Sequence, residues 1–367
     1  MIRILQIVPN MQAGGIETWL MNQYRCLDRT KIQYDFLVHY QQRFFYDDEI
    51  EQLGGRIFRC SMREDNNMLR YWKFLVIFFK KHPEYKVVHG HMPSLSFLFL
   101  GAARFCGVPV RINHSHNSNH NKSLKGIVEG MLTKLVKINA TNLFACSNLA
   151  GHYMYGKSAY TVVHNAVDVE KFRYNEQVRN EVRKELCLED RFIIGHIGRF
   201  NLQKNHTFLL DIFKSLVEKR SDAVLLLIGT GELVDEVMTK VRSMGIENKV
   251  KYLGVRSDTE RLYQAMDAFA LPSLFEGLPV VGVEAQASGV PFLLSDTITR
   301  EVGLTDTVKF LPIDKGISPW VDALATIDGN SNRQDTYKVV AEKGYDIHQE
   351  TERIVNIYME LYNNCGK

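Results

Sequence analysis

Two glutamates eight residues apart, Glu276 and Glu284, flank a stretch whose composition favours the start of a helix. Pro279 lies between them, and proline suits the first turn of a helix. A side chain just before such a helix and one about a turn and a half later reach the same side of it. The backbone N–H groups of the first turn can bind an anion such as a phosphate. We therefore interpret this stretch as a site in which one carboxylate holds sugar hydroxyls and the other holds ribose hydroxyls. The alternative is a surface helix with two solvated glutamates.

Two cations that follow an earlier apolar run are suited to a diphosphate. Arg199 comes just after residues 192–197, and Lys204 lies five residues further on. In open α/β sheets, ligands bind at the carboxyl edge of the strands. Two cations at that edge can neutralise a diphosphate leaving group. Solvated loop cations are the alternative, which is weakened because the helix at Pro279 should begin at the same edge.

Two further features carry weaker signals. The pair Gly14-Gly15 follows the first apolar run and permits a close backbone approach to phosphate. It lacks the G-x-G-x-x-G spacing of dinucleotide sites and the Lys-Ser/Thr of a P-loop. Val255 follows the run 250–253, and its backbone can pair with a nucleobase edge. In each case a turn with no ligand is the alternative.

Histidines follow two other apolar runs in H-x-H pairs, His89 with His91 and His114 with His116. We predict no metal site here, because no Asp or Glu is near and alternating strand residues are expected to face opposite sides. A histidine at the carboxyl end of a strand is better suited to hydrogen-bond a sugar. We favour that role for His114 over core packing and leave both roles open for His91 and His116.

Strand-like and helical patterns alternate along the whole chain, which is typical of parallel sheets with crossover helices. The charged segment 167–191 has no strand pattern, so we place a linker between two doubly wound domains there. Residues 349–362 have helical periodicity and can pack back on the first domain. The predicted strands are 3–8, 33–38, 56–60, 86–89, 108–113, 142–146, 160–163, 192–197, 223–228, 250–253, 268–271 and 291–294.

Composition limits the class of protein. A chain of 367 residues is comfortable for two domains, and no apolar run is long enough to cross a bilayer. The first residues lack the apolar region of a signal peptide, so we expect a cytoplasmic protein. The six cysteines form no C-x-x-C pair, which predicts reduced thiols and no zinc site.

Charge is divided unevenly along the chain. Residues 1–175 contain 22 Lys/Arg and 13 Asp/Glu, a net charge of +9, whereas the remainder contains 23 and 29, a net charge of −6. A basic first half is suited to a membrane surface, a pyrophosphate-bearing lipid or a nucleic acid, with ordinary surface variation as the alternative. The segment 122–137 is basic with apolar spacing and is suited to an anionic membrane. For the aromatic helix predicted within 66–82, we favour packing on the sheet over membrane contact.

Taken in order, these motifs resemble the retaining GT-B glycosyltransferases of the large family that builds bacterial polysaccharides and glycolipids. Within that family the chain looks most like capsule and exopolysaccharide glycosyltransferases. The E-x7-E element with its neighbours is specific, and one departure is Ala166, where the family usually has glycine after asparagine. The matching residues are Gly14, Gly15, His114, Asn165, Ala166, Val167, Asp168, Phe172, Gly198, Arg199, Lys204, Gly229, Thr230, Gly231, Leu253, Gly254, Glu276 and Glu284.

The resemblance implies a role for each matching position. Arg199 and Lys204 would bind the donor diphosphate, and Glu284 would hold the ribose hydroxyls. Glu276 would contact the transferred sugar, and His114 would sit beside the anomeric centre. The implied catalytic residues are His114, Glu276, Arg199 and Lys204. The implied donor-binding residues are Gly14, Gly15, Arg199, Lys204, Val255, Glu276, Gly277, Leu278, Pro279, Val280 and Glu284.

The resemblance also implies an architecture and a reaction. Two Rossmann-like domains would face a cleft, with an acceptor-binding domain over 1–172, a donor-binding domain over 173–345 and a last helix over 346–367. A sugar would pass with retention from a nucleotide-diphosphate sugar, such as a UDP-sugar, without a metal or other cofactor. The expected acceptor is a polyprenyl-diphosphate-linked saccharide, reached by peripheral contact with the anionic inner face of the plasma membrane.

Two rival functions remain at this point. A non-hydrolysing UDP-sugar epimerase shares the architecture, but it needs several acid/base residues around one sugar nucleotide. A non-catalytic nucleotide-binding or nucleic-acid-binding protein is permitted by the basic first half. The carboxylates would repel a nucleic acid, so we expect no nucleic-acid partner.

Overall fold

A computed structural model describes residues 1–92, 95–116, 136–329, 333 and 335–365 of the chain. The chain divides into two compact units. The first unit consists of Met1–Asn165 with Ile347–Lys367, and the second unit is Ala166–Asp346.

The first unit contains a sheet in which seven described strands are all parallel. Their order, β3-β2-β1-β4-β5-β6-β7, reverses direction between β1 and β4, as in doubly wound folds. Residues buried on both faces explain the near-continuous apolar runs that predicted these strands. The strands are β1 (Ile2–Ile7), β2 (Ile32–Val38), β3 (Ile57–Arg59), β4 (Val87–Gly90), β5 (Val110–Ser115), β6 (Asn142–Ala145) and β7 (Thr161–Val162).

Helices connect these strands as crossovers. In α4 the residues Tyr71, Leu75, Phe78 and Phe79 are buried, and they pack in one cluster with strand residues such as Leu5. The interpretation of this helix as a cover for the sheet is therefore confirmed. The helices are α1 (Gly15–Cys26), α2 (Asp47–Gln52), α3 (Met62–Asp65), α4 (Met68–Lys81), α5 (Ser96–Phe105) and α6 (Asn148–Tyr155).

The second unit contains a sheet in which six described strands are parallel, in the order β10-β9-β8-β11-β12-β13. The sequence did not predict β13, because only Leu311 of its four residues is buried and the charged Lys309 interrupts the apolar run. The strands are β8 (Phe192–Ile197), β9 (Ala223–Ile228), β10 (Val250–Tyr252), β11 (Ala268–Leu271), β12 (Phe292–Ser295) and β13 (Val308–Leu311).

Three helices of the second unit, α9, α10 and α13, pack in an apolar cluster with strand residues of this sheet, and Trp320 is fully buried in that cluster. Short 3₁₀ turns occupy Leu202–Lys204, Glu247–Lys249 and Arg300–Val302. The helices are α7 (Val169–Phe172), α8 (Glu176–Glu185), α9 (His206–Lys219), α10 (Val234–Ser243), α11 (Thr259–Ala265), α12 (Val280–Ala287), α13 (Ser318–Ala325) and α14 (Tyr337–Val340).

The segment 167–191, interpreted from its charges as a linker, is instead part of the second unit. It forms α7 and α8, and two of its arginines fix α8 to the start of β11. Arg179 and Arg183 both form ion pairs with Asp267, whose side chain is 2% exposed. The charges that suggested a solvated segment therefore include two arginines of a buried ion-pair network. The boundary between the units lies between residues 165 and 166, and not between residues 172 and 173 as predicted.

The chain ends in the first unit with the helix α15 (Ile347–Asn364), which contacts α1. Its buried residues include Ile354 and Tyr358. The helix is fixed near its start, because Glu350 Oε1 accepts a hydrogen bond of 2.7 Å from the backbone N–H of His164.

Among the helices formed by the described residues, none combines the length and the apolar character needed to cross a membrane.

Candidate active site

The carboxyl edge of the second sheet holds the residues with the strongest chemical signals. The strand order reverses between β8 and β11, and the loops after such a pair of strands are where open α/β sheets bind ligands. Arg199 and Lys204 follow β8, while Glu276 follows β11. Sheet topology therefore brings these distant parts of the chain to one edge.

Lys204 and Glu276 form a close ion pair at this edge. Lys204 Nζ lies 2.6 Å from Glu276 Oε1, and the side chains are only 14% and 9% exposed. Close passage of the Lys204 stem over Gly198 makes the pair possible, because a Cβ added to Gly198 would lie 3.0 Å from Lys204 Cε. The pair places a cation and a carboxylate together in a partly desolvated position.

The residues on either side of Lys204 fix the loop that contains Glu276. Gln203 Nε2 donates to Glu276 Oε2 at 3.0 Å and to the carbonyl of Phe275 at 2.9 Å. Asn205, in the left-handed conformation with φ 56°, donates from Nδ2 to the carbonyl of Pro272 at 3.2 Å. Gln203 and Asn205 were not identified from the sequence, although their position next to Lys204 was a signal.

Arg199 is positioned differently from Lys204. Its side chain is 66% exposed, and Nη2 donates to Glu232 Oε2 at 3.2 Å. The loop that contains it packs against Gly229, which has φ 131°, and a Cβ there would lie 2.0 Å from the carbonyl oxygen of Gly198. Arg199 is therefore an exposed cation on a tightly held backbone.

The helix α12 begins at this edge with the backbone predicted to bind an anion. Pro279 is its N-cap, and no side chain of the described residues caps the helix. Gly277, Leu278, Pro279 and Val280 are all buried. An uncapped helix N-terminus has backbone N–H groups and a partial positive charge that favour an anion.

Glu284 lies inside α12, and its carboxylate has a phenol partner. Tyr263 Oη lies 3.1 Å from Glu284 Oε2 and 3.0 Å from the carbonyl oxygen of Val281, so its single proton is shared between these two acceptors. Burial raises the pKa of Glu284 to about 7, although the hydrogen bond from Tyr263 opposes this rise. Tyr263 was not identified from the sequence.

Val255 lies in the loop after β10, beside Gly254, which has φ 64°. The carbonyl of Gly254 accepts a hydrogen bond of 2.8 Å from the N–H of Gly229. The loop of Val255 is thereby joined to the loop that packs against the Arg199 segment.

In the first unit, Gly14 and Gly15 lie at the start of α1, with Gly14 as its N-cap in an extended conformation. A Cβ added to Gly14 would lie 2.5 Å from Glu17 Oε2, whereas one added to Gly15 would meet nothing within 4 Å. The space beside Gly15 is therefore open to a ligand.

Four histidines at the ends of β4 and β5 form one buried cluster, which corrects our expectation that each H-x-H pair would be split between two faces. Residues two apart in a strand point to the same face. The rings of His89 and His91 are 4.2 Å apart, and those of His114 and His116 are 4.1 Å apart. Trp19 packs edge-on against His91, His114 and His116 at 5.1–5.7 Å.

Hydrogen bonds connect this cluster. His89 Nε2 lies 3.2 Å from His114 Nδ1, and His91 Nδ1 lies 2.9 Å from His116 Nε2. Burial lowers the pKa of His116 to about 3 and holds the pKa values of the other three rings well below their usual value. His114 Nε2 is buried and has no hydrogen-bond partner among the described residues.

Among the described residues, His89, His91 and His114 have ring nitrogens close enough together to hold a metal ion, within 4.8 Å of one another. Both nitrogens of His89 are already engaged, by Tyr358 and His114. Both nitrogens of His91 are engaged by Gln6 and His116. These bonds favour a hydrogen-bonded cluster over a metal site, because a metal would have to replace them.

The structure thus brings Lys204 to Glu276 but pairs Arg199 with Glu232 and Glu284 with Tyr263. His114, Gly14 and Gly15 lie in the first unit, whereas the other predicted site residues lie in the second unit. The predicted membrane segment 122–137 lies outside the described residues except at its end, where Lys137 Nζ donates to the carbonyl of Tyr155 at 2.5 Å.

Comparison with known proteins gives the family of the chain. Residues 178–334 match the family described as Glycosyl transferases group 1, and residues 13–171 match Glycosyltransferase Family 4. Glycosyltransferase EpsF of Bacillus subtilis (strain 168) is 36% identical over 97% of this chain and 96% of its own length. The Escherichia coli enzyme named UDP-Gal:alpha-D-GlcNAc-diphosphoundecaprenol alpha-1,3-galactosyltransferase is 25% identical over 98% of this chain and 97% of its own.

The fold is similar to that of Anabaena HepE, solved in complex with UDP-glucose. The TM-score is 0.79 at 17% identity, with 98% of this chain and all of HepE covered. With two Rossmann-like parallel sheets and a full-length relative above 30% identity, the chain belongs to the group 1 family of GT-B glycosyltransferases.

Proposed function

We propose that this glycosyltransferase moves a sugar, with retention and without a metal, from a UDP-sugar to a lipid-linked saccharide in exopolysaccharide or capsule assembly. The observation that carries the proposal is the ion pair between Lys204 and Glu276. Glu276 lies four residues before Val280, where α12 begins without a side-chain cap. A cation, a carboxylate and a helix N-terminus match the diphosphate and the hydroxyls of a sugar nucleotide.

The chemistry follows from where charge develops. As the bond between the sugar C1 and the diphosphate oxygen breaks, the sugar becomes oxocarbenium-like and the leaving oxygen becomes negative. Arg199 and Lys204 stabilise that negative charge. The acceptor hydroxyl forms its bond to C1 on the same face, and its proton passes to the leaving phosphate.

The remaining residues have binding roles in this proposal. Glu276 holds hydroxyls of the transferred sugar, and Glu284 holds the ribose hydroxyls. His114 donates to a sugar oxygen near C1, a role supported by its unpartnered Nε2. The backbone at Val255 pairs with the base, and the open space beside Gly15 admits the diphosphate.

The acceptor is proposed from relatives. The E. coli relative is named for a diphosphoundecaprenol acceptor, and a Staphylococcus aureus relative, CapH, is named for capsular polysaccharide biosynthesis. A lipid-linked acceptor requires the enzyme to work at a membrane surface. We propose the cytoplasmic face, where the basic first half of the chain meets anionic lipid.

A transfer assay tests this function. Purified protein is incubated with a panel of UDP-sugars, with and without an undecaprenyl-diphosphate-linked saccharide, and both UDP release and the anomeric configuration of the product are measured. We expect acceptor-dependent UDP release and an α-linked product from an α-linked donor. A β-linked product contradicts retention.

The same assay separates the rivals. Conversion of the UDP-sugar to its epimer without an acceptor would establish an epimerase. Nucleotide binding with no turnover under any condition would favour a binding protein. Glu276→Gln is the matched inactive control, since it keeps the shape of the side chain but removes the charge that pairs with Lys204.

Metal independence is tested with a chelator. Because side-chain cations and helix N–H groups supply the positive charge, we expect activity to persist in excess EDTA. Loss of activity on chelation, with recovery on adding Mg²⁺ or Mn²⁺, contradicts the proposal.

A further inference from the structure

Two residues outside the predicted site connect the last helix of the chain to His114. The hydroxyl of Tyr358, on α15, lies 2.6 Å from His89 Nδ1. On the other side of the same ring, His89 Nε2 lies 3.2 Å from His114 Nδ1. All three side chains are fully buried, and all belong to the first unit.

The direction of this chain of hydrogen bonds is set at the tyrosine. A buried hydroxyl requires an acceptor for its proton. Among the described residues, His89 Nδ1 is the acceptor in hydrogen-bond geometry with Tyr358 Oη. The side chains of Gln6 and Tyr34 also hydrogen-bond this hydroxyl, and both bonds act to lower the pKa of Tyr358, so these groups donate to its oxygen and do not accept its proton. Tyr358 therefore donates its own proton to His89 Nδ1.

The tautomers of both histidines follow from that first bond. A neutral imidazole has one protonated and one unprotonated nitrogen. With Nδ1 accepting from Tyr358, His89 has its proton on Nε2 and donates it to His114 Nδ1. With Nδ1 accepting, His114 in turn has its proton on Nε2.

The neutral state of the rings supports this reasoning. Burial keeps the pKa values of His89 and His114 well below the usual value for histidine, so each ring has a single proton to place. The one ring nitrogen of His114 without a partner among the described residues is Nε2, at the far end of the chain of bonds.

We propose that Tyr358 and His89 are positioning residues that hold His114 as the Nε2–H tautomer, so that His114 presents a hydrogen-bond donor and not a base to the substrate. The inference rests on the proposed function only for the identity of the substrate oxygen. A donor at this position is suited to an electron-rich hydroxyl oxygen of the sugar. It cannot remove the proton of the acceptor, which agrees with proton transfer to the leaving phosphate.

The direct test is the protonation state of the ring. Two-bond ¹⁵N–¹H correlation spectra of ¹⁵N-histidine-labelled protein distinguish the two tautomers, and His114→Asn identifies the signals. We expect His114 in the wild-type protein to be protonated on Nε2. Protonation on Nδ1 overturns the inference, whatever the enzyme transfers.

Tyr358→Phe tests the positioning role, since it keeps the ring packing and removes only the proton donor. We expect a mixture of His114 tautomers and a fall in kcat of about tenfold, the rate equivalent of one hydrogen bond, with little change in KM. Tyr71→Phe is the matched control. Tyr71 is also buried in the first unit, and its hydroxyl lies 2.8 Å from His39 Nε2. It should leave both the tautomer and kcat unchanged.

Rescue at His89 completes the test. The amide of His89→Gln can accept from Tyr358 and donate to His114, whereas His89→Leu can do neither. We expect the glutamine variant to retain more of the Nε2–H tautomer and more of kcat than the leucine variant. Equal behaviour of the two variants, or a Tyr358→Phe variant with unchanged tautomer and kcat, overturns the positioning role. If the spectra show Nε2–H but no sugar nucleotide supports transfer, the proposed function fails while the tautomer assignment stands.

Discussion

Lys204 has to serve two anionic partners during the proposed reaction. In the structure its ammonium group binds Glu276, and in the donor complex it would also bind a diphosphate. Glu276 does not lose all support when the lysine turns to the phosphate, because Gln203 holds the second carboxylate oxygen. In the proposed reaction, the lysine can therefore respond to leaving-group charge without releasing Glu276, which we propose holds the sugar.

The first prediction concerns the two cations. Arg199→Ala and Lys204→Ala should each reduce kcat by about 10²-fold or more, the scale for removing a group that stabilises charge in the transition state. Steady-state kinetics with the best UDP-sugar measures this. Lys219→Ala is the control, because Lys219 also forms an exposed ion pair, with Asp322 at 2.8 Å, but lies at the far end of α9. Normal turnover in both site variants would remove these residues from the mechanism.

The second prediction uses the raised pKa of Glu284. The folded protein keeps this carboxyl protonated up to a pKa of about 7, whereas the unfolded chain releases the proton near its usual value. Stability is therefore lost as pH rises from about 4.5 through about 7. Glu284→Gln removes the titration, so it should be more stable than wild type at pH 8, by on the order of 1–3 kcal/mol.

Urea denaturation at pH 5 and pH 8 measures the effect. The two proteins should differ much less at pH 5, where the wild-type carboxyl is largely protonated. The same substitution should weaken UDP binding, since a neutral amide accepts ribose hydroxyls less strongly than a carboxylate. A variant that is less stable than wild type at pH 8 contradicts the prediction.

Among single residues, the sequence predicted those whose side-chain type alone indicates their chemistry. Lys204 and Glu276 were chosen for their charges and positions after strands, and the structure joins them. Gln203, Tyr263 and Tyr358 were missed because an amide or phenol gains its role only from what it contacts. The histidines were misjudged for a simpler reason, since residues i and i+2 of a strand share a face.

At the scale of elements, the loops after β8 and β9 depend on one backbone position. Gly229 has φ 131°, and its close approach to Gly198 leaves no space for a side chain. The N–H of Phe200 also donates to the carbonyl of Thr230 at 2.9 Å, which joins the same two loops. The position of Arg199 is thus set by a neighbouring loop and not only by its own.

The third prediction follows from this contact. Gly229→Ala should displace the loop of Arg199, lowering both stability and transfer. Gly245→Ala is the control, because Gly245 has φ 64° but a Cβ there meets nothing within 4 Å. The control should lose only about 1–2 kcal/mol of stability, which is the cost of a left-handed backbone for a residue with a Cβ. It should retain activity. Equal losses in the two variants, by urea denaturation and kinetics, would show that the contact does not matter.

Elements were predicted where their residues are fully buried. Strands β8, β9 and β11 have the predicted limits, because every residue in them is buried and the apolar runs are unbroken. The segment 167–191 was misinterpreted because its helices present charged residues, and Arg179 and Arg183 are used inside the unit to hold Asp267. A charge used in a buried ion pair has no signature in local sequence.

At the scale of the whole molecule, charge is divided between the two halves of the chain. The fourth prediction is that the net charge of +9 in residues 1–175 attracts the protein to anionic membranes. Each cation near such a surface contributes about 1 kcal/mol, and the effect fades within a Debye length. The protein should co-sediment with anionic liposomes at low salt and be released at high salt.

Four lysines in the segment 122–137 provide the matched variant. Replacing Lys122, Lys125, Lys134 and Lys137 with glutamine should reduce liposome binding and leave UDP affinity unchanged. Zwitterionic liposomes are the control surface and should bind little protein. If the wild-type protein ignores anionic liposomes at low salt, membrane docking through charge is wrong, and an acceptor in solution becomes the better hypothesis.

The placement of α15 in the first unit has a consequence for the protein as it leaves the ribosome. The first unit contains residues 1–165 but is completed only by residues after 346. Domains fold as they emerge, at about 5–20 residues per second, so the first unit waits on the order of 10–40 s while the second unit is synthesised. During that interval the nascent chain exposes the surface of α1 that α15 will cover, and His89 lacks its donor from Tyr358. A chain cut just after residue 346 would therefore have a complete second unit and a first unit that is open to chaperones and proteases.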